Sequence, residues 1–290
     1  MKKRILFTLG EIPTGAERVV QTIARQLDKN LYEACFCTLA TGDDFMSFLQ
    51  EYTPDVVFCS QIHLANKVAD AVCDYGNIEL VFRCNYMLQD VSEDIVANAA
   101  SAYPKAKMVI AQTTTMRKQL LESFDLDPEK VIVYHNPVDV ERITALAGSV
   151  SPYPDDGCTH FVWVGRFDPI KDLDTLLKAF TIVHRQNPNT SLYLVGDCPN
   201  HETYQQKGVH LVGYKENPYP WMKYADCFVL SSKSEACPNV LLEADVLGTK
   251  IICSKCSNIL DVISNVSIFD VGDIKSMVHM LLAVYGSGSL

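Results

Sequence analysis

The chain has 290 residues, a formal net charge of −10 and a hydrophobic content of 48%. This length suits one large or two ordinary domains with buried cores. The acidic balance argues against nucleic-acid binding, and against electrostatic attraction to anionic lipid, as a primary role. The 11 cysteines are scattered through apolar runs, which is typical of buried thiols in a reducing cytoplasm.

The first half of the chain alternates short apolar runs with helical patterns. Strands are predicted at 4–9, 32–39, 56–59, 78–82, 108–111 and 131–134, and the clearest helices at 63–75 and 114–124. A loop at 10–15 precedes a further helical pattern from Ala16, so Gly15 serves either a plain turn or a ligand-facing loop. This alternation predicts an α/β fold with a doubly wound parallel sheet.

Residues 141–157 contain Gly148, Pro152, Pro154 and an acidic pair, a composition typical of a linker. The strand and helix pattern restarts at Thr159. We therefore predict two Rossmann-like domains, residues 1–148 and 149–290. Ligand sites are common at the interfaces of such domains.

A first candidate ligand loop follows the apolar strand Phe-Val-Trp-Val of the second half. The strand runs into Gly165, and Arg166 and Lys171 follow in the same loop. An Arg side chain offers a fixed fork to a phosphate and a Lys side chain offers a point charge. The pair therefore suits a diphosphate.

A second candidate loop follows the apolar run 228–230. Pro238 fits the first position of the next helix, and Gly248 fits the position just after its end. The N–H groups of Asn239 and Val240 would then point over the carboxyl end of the strand. Helix starts of this kind bind anions in open α/β sheets.

Two carboxylates frame this second loop. Glu235 lies ahead of the helix and Glu243 lies inside it. Helical side chains lean toward the amino end, so both can reach the ligand side, where one carboxylate can accept both hydroxyls of a ribose diol. The simpler alternative is that Glu235 caps a helix and Glu243 is solvated.

The two loops together resemble the signature of the retaining nucleotide-sugar glycosyltransferases of family 4, the glycosyl transferases group 1. The motifs are Gly-Arg-Phe-x-x-x-Lys-Asp and Glu-Ala-Cys-Pro-Asn-Val-Leu-Leu-Glu, and matching segments lie at 136–139, 194–197 and 209–214. Thr14-Gly15-Ala16-Glu17 is similar to the family's Gly-Gly-x-Glu, with Thr14 in place of the first Gly. The resemblance is dense from residue 131 to 250 and implies the GT-B fold, in which two Rossmann-like domains face a cleft.

The resemblance implies transfer of a sugar, with retention of configuration, from a UDP- or GDP-sugar to a glycan or lipid-linked acceptor in polysaccharide or glycoconjugate synthesis. It assigns catalysis to Arg166, Lys171 and Glu235 and requires no metal or other cofactor. The donor-binding residues that it implies are Gly15, Gly165, Arg166, Lys171, Gly196, Gly213, Tyr214, Glu235, Pro238, Asn239, Val240 and Glu243. The acceptor would meet the first domain, where Arg83 and Asn85 occupy a stretch that carries a His in many family members.

Two other functions stay open. The missing His and the short segment after residue 285 also fit a non-catalytic sugar-nucleotide binding protein or a partner subunit of a transferase. A nucleotide-sugar epimerase or hydrolase on the same fold is the other alternative. The basic start lacks a signal-peptide core, so we expect a cytoplasmic protein, with peripheral contact at the inner face of the membrane as an option.

Cys253-Ser-Lys-Cys256 has the spacing of half a zinc site or of a redox pair. No second pair of matching spacing accompanies it in the sequence. Buried structural thiols are therefore the favoured interpretation, with metal binding and redox chemistry as the alternatives.

Overall fold

The structure is a computed structural model that describes residues 2–10, 15–40, 42–257, 261–263 and 266–287. The chain divides into two compact units, Met1–Val138 and Asp139–Leu290. Within the described ranges, each unit is built on one six-stranded sheet in which all neighbouring strands are parallel. The predicted α/β class with two doubly wound parallel sheets is confirmed.

The first unit contains the predicted alternation of strands and helices. Its strands are β1 (Lys3–Leu9), β2 (Tyr32–Thr38), β3 (Val56–Cys59), β4 (Glu79–Arg83), β5 (Met108–Ala111) and β6 (Val131–Val133). Its helices are α1 (Gly15–Gln26), α2 (Phe45–Tyr52), α3 (Ala65–Tyr75), α4 (Glu93–Ala102) and α5 (Thr114–Ser123). The strand order is β2-β1-β3-β4-β5-β6.

The second unit repeats this architecture. Its strands are β7 (Thr159–Val164), β8 (Thr190–Val195), β9 (Val209–Gly213), β10 (Cys227–Leu230), β11 (Ile251–Ser254) and β12 (Ser267–Phe269). Its helices are α6 (Val140–Ala147), α7 (Leu173–Gln186), α8 (His201–Tyr204), α9 (Tyr219–Lys223), α10 (Asn239–Val246) and α11 (Ile274–Ser287). The strand order is β12-β11-β10-β7-β8-β9.

Burial on both faces explains why the strands read as continuous apolar runs. All side chains of β3, β10 and β11 are buried, which is expected for parallel strands covered by helices. In the second unit, Phe161 and Trp163 of β7 pack with Phe180 of α7 and Leu281 of α11 in one hydrophobic core. This core packs α7 and α11 against the sheet whose strands lead into the predicted ligand loops.

The predicted linker at 141–157 is wrong in its first half, because Val140–Ala147 is helical. Asp139 caps this helix by accepting from the Arg142 N–H at 3.1 Å, and the helix packs against α9 and α10. Its apolar residues Ile143 and Ala147 are buried. The helical spacing of these two residues outweighs the effect of the Gly and Pro residues that follow them. Because this helix belongs to the second unit, the structural boundary at Val138/Asp139 precedes the predicted boundary at 148.

Each sheet has a point where its strand order reverses. β1 lies between β2 and β3, and β7 lies between β8 and β10. The connections therefore leave the first strand in opposite directions, which opens a crevice at the carboxyl ends of the strands where ligands bind in such folds. Among the described helices, none has the length and apolarity needed to cross a bilayer.

Candidate functional site

The second unit brings its two predicted ligand loops together at the reversal point between β7 and β10. Gly165 follows β7 and Ser231 follows β10. The Lys233 N–H donates to the Ile170 carbonyl at 2.7 Å, and Ser231 Oγ donates to the Lys171 carbonyl at 2.8 Å. These bonds fix the two loops to one another.

The loop after β7 is folded by its own aspartates. Asp168 caps a 3-10 turn, Pro169–Lys171, by accepting from the Ile170 N–H at 3.0 Å. Asp172 has φ of 48°, a left-handed conformation that is uncommon for a residue other than Gly. Thr175 Oγ1 donates to Asp172 Oδ2 at 2.8 Å, and α7 begins directly afterwards. The turn that carries Lys171 is therefore fixed by a hydrogen bond to Asp168 on one side and a hydrogen bond to Asp172 on the other.

Lys171 and Glu235 form the charged centre of the site. Lys171 Nζ lies 2.5 Å from Glu235 Oε1, and Ser232 Oγ donates to the same oxygen at 2.7 Å. The Lys171 and Glu235 side chains are 18% and 13% exposed, so the pair is mostly buried but still reachable from solvent. A charge-assisted bond of this length is strong, and it joins two of the three predicted catalytic residues.

Arg166, the third predicted catalytic residue, lies in the same loop and is exposed. Its side chain makes no hydrogen bond or ion pair with any residue that the structure describes. The guanidinium is therefore available to an anionic ligand at this edge of the sheet.

Helix α10 begins one residue later than predicted. Pro238 has ψ of 109°, an extended conformation, so it is the residue before the helix rather than its first residue. Asn239 and Val240 are the first helical residues, and the first N–H groups of a helix favour a nearby anion. Gly248, with φ of 71°, follows the last residues of the helix as predicted.

Glu243 is half-buried on α10, and a tyrosine outside the predicted set contacts it. Tyr219 Oη donates to Glu243 Oε1 at 3.4 Å. Tyr219 itself is buried, at the start of α9. No local sequence signal joins these two residues, because their contact depends on how α9 and α10 pack.

The three predicted glycines of the second unit lie at the ends of adjacent strands. Cβ on Gly196 would lie 2.0 Å from the Gly165 carbonyl oxygen, so only Gly fits there. Gly213 has φ of 77° and accepts from the Gly196 N–H at 3.1 Å. Tyr214, next to it, is 64% exposed. The glycines thus have a backbone role, while their contact with a nucleotide stays a prediction.

Three serines that the sequence interpretation missed make hydrogen bonds to the loops that carry Lys171 and Glu235. Ser231, Ser232 and Ser254 are completely buried. Ser254 Oγ donates to the Ser232 carbonyl at 2.5 Å, and the Glu235 N–H donates to the Cys256 carbonyl at 3.0 Å. Their position directly after β10 and at the end of β11 was an available signal, because parallel neighbours end at one edge of a sheet.

In the first unit, the predicted Gly15 begins α1, and Thr14 lies outside the described residues. The Gly10 N–H donates to the buried carboxylate of Glu17 at 3.3 Å. A donor-binding role of Gly15 stays a prediction.

Of the predicted acceptor residues, Arg83 is the last residue of β4 and Asn85 follows the strand, at the carboxyl end of the first sheet. Arg83 is only 2% exposed, and its Nη2 donates to Asn136 Oδ1 at 2.5 Å. Gln112 Nε2 donates to the Cys84 carbonyl at 3.1 Å in the same buried polar layer, and Asn85 is half-buried. The acceptor role of Arg83 and Asn85 stays a prediction. Because the Arg83 side chain is buried, it could contact an acceptor only if the surrounding polar side chains moved apart.

The described residues contain no group of three or more His, Cys, Asp or Glu side chains that could hold a metal ion. Cys253 and Cys256, the candidate half of a zinc site, therefore lack further ligands of these types within the described ranges.

The elements that build the site, from β7 through α10, come from one continuous stretch of sequence. Residues 158–286 match the family model of the glycosyl transferases group 1. The match begins just before β7 and ends within α11, so it contains all predicted donor-binding residues except Gly15.

Two curated relatives extend this likeness. The chain is 27% identical over 253 residues to the lipopolysaccharide 1,6-galactosyltransferase of Escherichia coli K12, which covers 81% of the chain and 66% of that protein. It is 25% identical over 160 residues to an N-acetylgalactosamine-N,N'-diacetylbacillosaminyl-diphospho-undecaprenol 4-alpha-N-acetylgalactosaminyltransferase of Campylobacter jejuni, covering 52% of the chain and 42% of that protein. The chain thus spans less than two thirds of the length of either relative.

The fold also matches that of a solved structure. Anabaena HepE, determined in complex with UDP and glucose, matches with a TM-score of 0.80 at 15% identity, covering 98% of the chain and 90% of HepE. This likeness shows that the chain has the GT-B fold.

Proposed function

We propose that the chain is a retaining glycosyltransferase that transfers a sugar from a UDP- or GDP-sugar to a glycan or lipid-linked acceptor. The observation that carries this proposal is the Lys171–Glu235 pair, 2.5 Å apart, at the reversal point of the second sheet and beside the exposed Arg166. This combination offers cations for a diphosphate and a carboxylate for sugar hydroxyls within one pair of loops.

The cations have a direct role in the chemistry. As the bond between the sugar and the diphosphate breaks, negative charge grows on the phosphate oxygens. Groups that are already positive and fixed at that point stabilise the transition state more than the ground state. We assign this role to Lys171 and Arg166, with help from the N–H groups of Asn239 and Val240.

The carboxylates bind the hydroxyl groups of the donor. Glu243, oriented by Tyr219 Oη at 3.4 Å, would accept from the ribose hydroxyls. Glu235 would accept from the hydroxyls of the transferred sugar through Oε2, because Lys171 and Ser232 both bond to its Oε1. Lys171 can then contact both Glu235 and a phosphate oxygen.

We further propose that transfer retains the configuration at the sugar and needs no metal ion. The leaving phosphate can accept the proton of the acceptor hydroxyl, so no separate protein base is required on the acceptor side. The two positive side chains supply the charge that a divalent cation would otherwise bring to the diphosphate.

The relatives support the acceptor class and the donor class. The names of the two curated relatives describe transfer to a lipopolysaccharide and to a diphospho-undecaprenol-linked glycan. HepE was determined with UDP. A cytoplasmic protein that contacts the inner face of the membrane peripherally would reach such acceptors.

The test is donor consumption by the full chain in EDTA, with UDP-glucose, UDP-galactose, UDP-N-acetylglucosamine and GDP-mannose. Each donor is supplied with and without a polyprenyl-diphosphate-linked saccharide, and the anomer of any product is read by NMR. We expect nucleotide release that depends on the acceptor and a product with the donor's configuration. Donor consumed without acceptor would indicate an epimerase or hydrolase, and donor bound without turnover would indicate a binding protein or partner subunit.

A further inference from the structure

The first sheet ends in an edge strand, β2, that lacks the features with which proteins usually protect such edges. Exposed edges are commonly short, bent by bulges, or guarded by Lys or Pro, because their unpaired backbone groups can bind another chain. β2 has seven residues, no Lys and no Pro, and it pairs with β1 without a register shift. Its only charged residue is Glu33. Nothing within β2 therefore prevents a further strand from pairing with it.

The other edge strands in the described part of the chain are protected by their length or geometry. β6 and β12 have three residues each. β9 has five residues and pairs with β8 through a register shift. Among these edges, β2 is thus the one that is both long and regular.

The backbone of β2 presents hydrogen-bonding groups on its outer side. The carbonyl of Leu31, just before the strand, accepts from β1 at 2.8 Å, and the N–H of Leu39, just after it, donates to β1 at 2.9 Å. Because backbone direction alternates along a strand, the odd-numbered residues of β2 bond to β1 and the even-numbered residues point away from it. The outward groups are the carbonyl of Tyr32 and the N–H and carbonyl groups of Ala34, Phe36 and Thr38.

We propose that β2 is a homodimer interface, at which two copies of the chain pair antiparallel about Cys35 and join their first sheets edge to edge. Cys35 is the middle residue of the strand, so this register uses its whole length. It places Ala34 opposite Phe36 of the second copy, and Tyr32 opposite Thr38. Each outward N–H then meets an outward carbonyl. The proposal does not depend on the donor site of the second unit.

The side chains of the strand are self-complementary in this register. Phe36 stacks on Phe7 but is still 38% exposed. A groove of about 340 Å³ lies beside the strand, lined in part by Ala24 of α1 and by Tyr32 and Ala34. Because Phe36 lies opposite Ala34 of the second copy, each Phe36 ring covers apolar surface at the groove of the other copy. Both apolar features of the edge are thereby removed from water.

The charges at the two ends of the strand favour the same pairing. At the amino end, the exposed Lys2 and Lys29 outnumber the carboxylate of Asp28. Asp43 and Asp44 follow the carboxyl end. Antiparallel pairing places the amino end of one β2 beside the carboxyl end of the other, so opposite charges approach each other twice. Such surface attraction is modest and screened by salt, but it selects the antiparallel arrangement.

The first test is the mass of the full chain in solution, measured by sedimentation equilibrium at tens of micromolar protein. We expect twice the chain mass of 32.3 kDa. No larger species should form, because two-fold pairing leaves no part of this edge open. A monomer, or an assembly larger than a dimer, would overturn the proposal.

Two variants locate the interface. Phe36→Lys places an ammonium group between the copies, and Ala34→Pro removes an outward N–H while it leaves the bonds to β1 in place. Each should weaken dimerisation by about tenfold or more, with an unchanged circular dichroism spectrum. Ile132→Lys is the matched control, because Ile132 is 37% exposed on the edge strand β6, and it should leave the dimer unchanged. A dimer that survives both β2 variants, or that Ile132→Lys weakens equally, would place the contact elsewhere.

Cys35 tests the register in the unaltered chain, and this test decides the matter if the β2 variants fail to fold. Opposite residues at the centre of this pairing have Cα atoms about 4.5 Å apart, and a disulfide spans about 4.4–6.8 Å. Diamide should therefore oxidise the two Cys35 thiols to a disulfide, taking up their protons and electrons. We expect a covalent dimer on non-reducing gels that persists in Cys73→Ser, which removes an exposed thiol on α3, and disappears in Cys35→Ser. Cys35→Ser should still sediment as a dimer. A wild-type dimer without this Cys35-dependent cross-link would overturn the pairing.

Discussion

Both units are six-stranded parallel sheets, but their strand orders differ and so do the carboxyl edges of their sheets. In the first unit, Thr8 of β1 hydrogen-bonds to Gln61 after β3, and both side chains are buried at the reversal point. In the second unit, the strands on either side of the reversal point, β7 and β10, are followed by Gly165 and Ser231, and the Lys171–Glu235 pair beyond them is reachable from solvent.

Two arginines near the carboxyl ends of the sheets differ in the same way. The Arg83 guanidinium is enclosed and bonded to Asn136 within the first unit, whereas Arg166 of the second unit is exposed. A buried charge needs hydrogen-bond partners within the protein to offset its desolvation, whereas a charge within reach of solvent can bind a ligand. Two parallel sheets therefore carry an enclosed polar layer in one unit and, in the other, an accessible charged edge to which we assign the ligand.

The largest effect is expected for Lys171→Ala. Removing the cation that faces the leaving diphosphate should lower kcat by about 10²- to 10³-fold, as for other groups that stabilise transition-state charge. Lys233→Ala, in the adjacent loop and exposed, is the charge-matched control and should leave kcat within about threefold, because surface changes have small effects. If both variants lose turnover equally, the account of Lys171 fails.

Gly196→Ala should destabilise the second unit by about 3 kcal/mol, because its Cβ would clash with the Gly165 carbonyl. Gly213→Ala is the matched comparison: its Cβ meets no atom within 4 Å, so only its left-handed backbone is strained, at about 1 kcal/mol. Urea unfolding measures both. Equal losses would contradict the close packing of the two glycine loops.

Asn136→Ala tests the enclosed layer of the first unit. A hydrogen bond to a buried charged group contributes about 1.5–3 kcal/mol, so stability should fall by that amount. UDP affinity, measured calorimetrically at a temperature where the variant is folded, should not change. A loss of UDP binding without a loss of stability would mean that Asn136 serves ligand binding and not the fold. The contrast between the carboxyl edges of the two sheets would then be wrong.

The smallest effect is expected for Tyr219→Phe. Loss of the long bond to Glu243 should weaken UDP binding by about two- to fivefold, equivalent to 0.5–1 kcal/mol, without lowering kcat. Tyr224→Phe is the control, because Tyr224 Oη donates to the Gly148 carbonyl instead. An identical response of both tyrosines would mean that Tyr219 does not orient Glu243.

Much of the fold could be predicted because parallel strands buried on both faces are continuous apolar runs. Strands such as Val56–Cys59 and Met108–Ala111 match their predicted bounds. Helix α6 was missed because its apolar stripe is short and is followed directly by Gly and Pro. The start of α10 was off by one residue, since a proline suits both the position before a helix and its first turn.

The loops of the candidate site could be predicted from the sequence, but the hydrogen bonds that hold those loops in place could not. A cation after a strand-ending glycine and a carboxylate before a helix start are local patterns, so Lys171 and Glu235 could be found from sequence. The bonds from Ser254, the Cys256 carbonyl and Tyr219 depend on tertiary packing between separate segments. Those bonds decide how the carboxylates are oriented, which no spacing in the sequence encodes.

The central claim is that the carboxyl edge of the second sheet binds a nucleoside diphosphate. Its most direct test is calorimetric titration of UDP and GDP, in EDTA, into the wild-type chain and into Arg166→Ala and Glu243→Ala. We predict that one of the two nucleotides binds the wild-type protein and that each variant loses about tenfold or more in affinity, as for bonds to charged groups, while it stays folded. A wild-type protein that binds neither nucleotide, or folded variants that bind as the wild type does, would contradict the account.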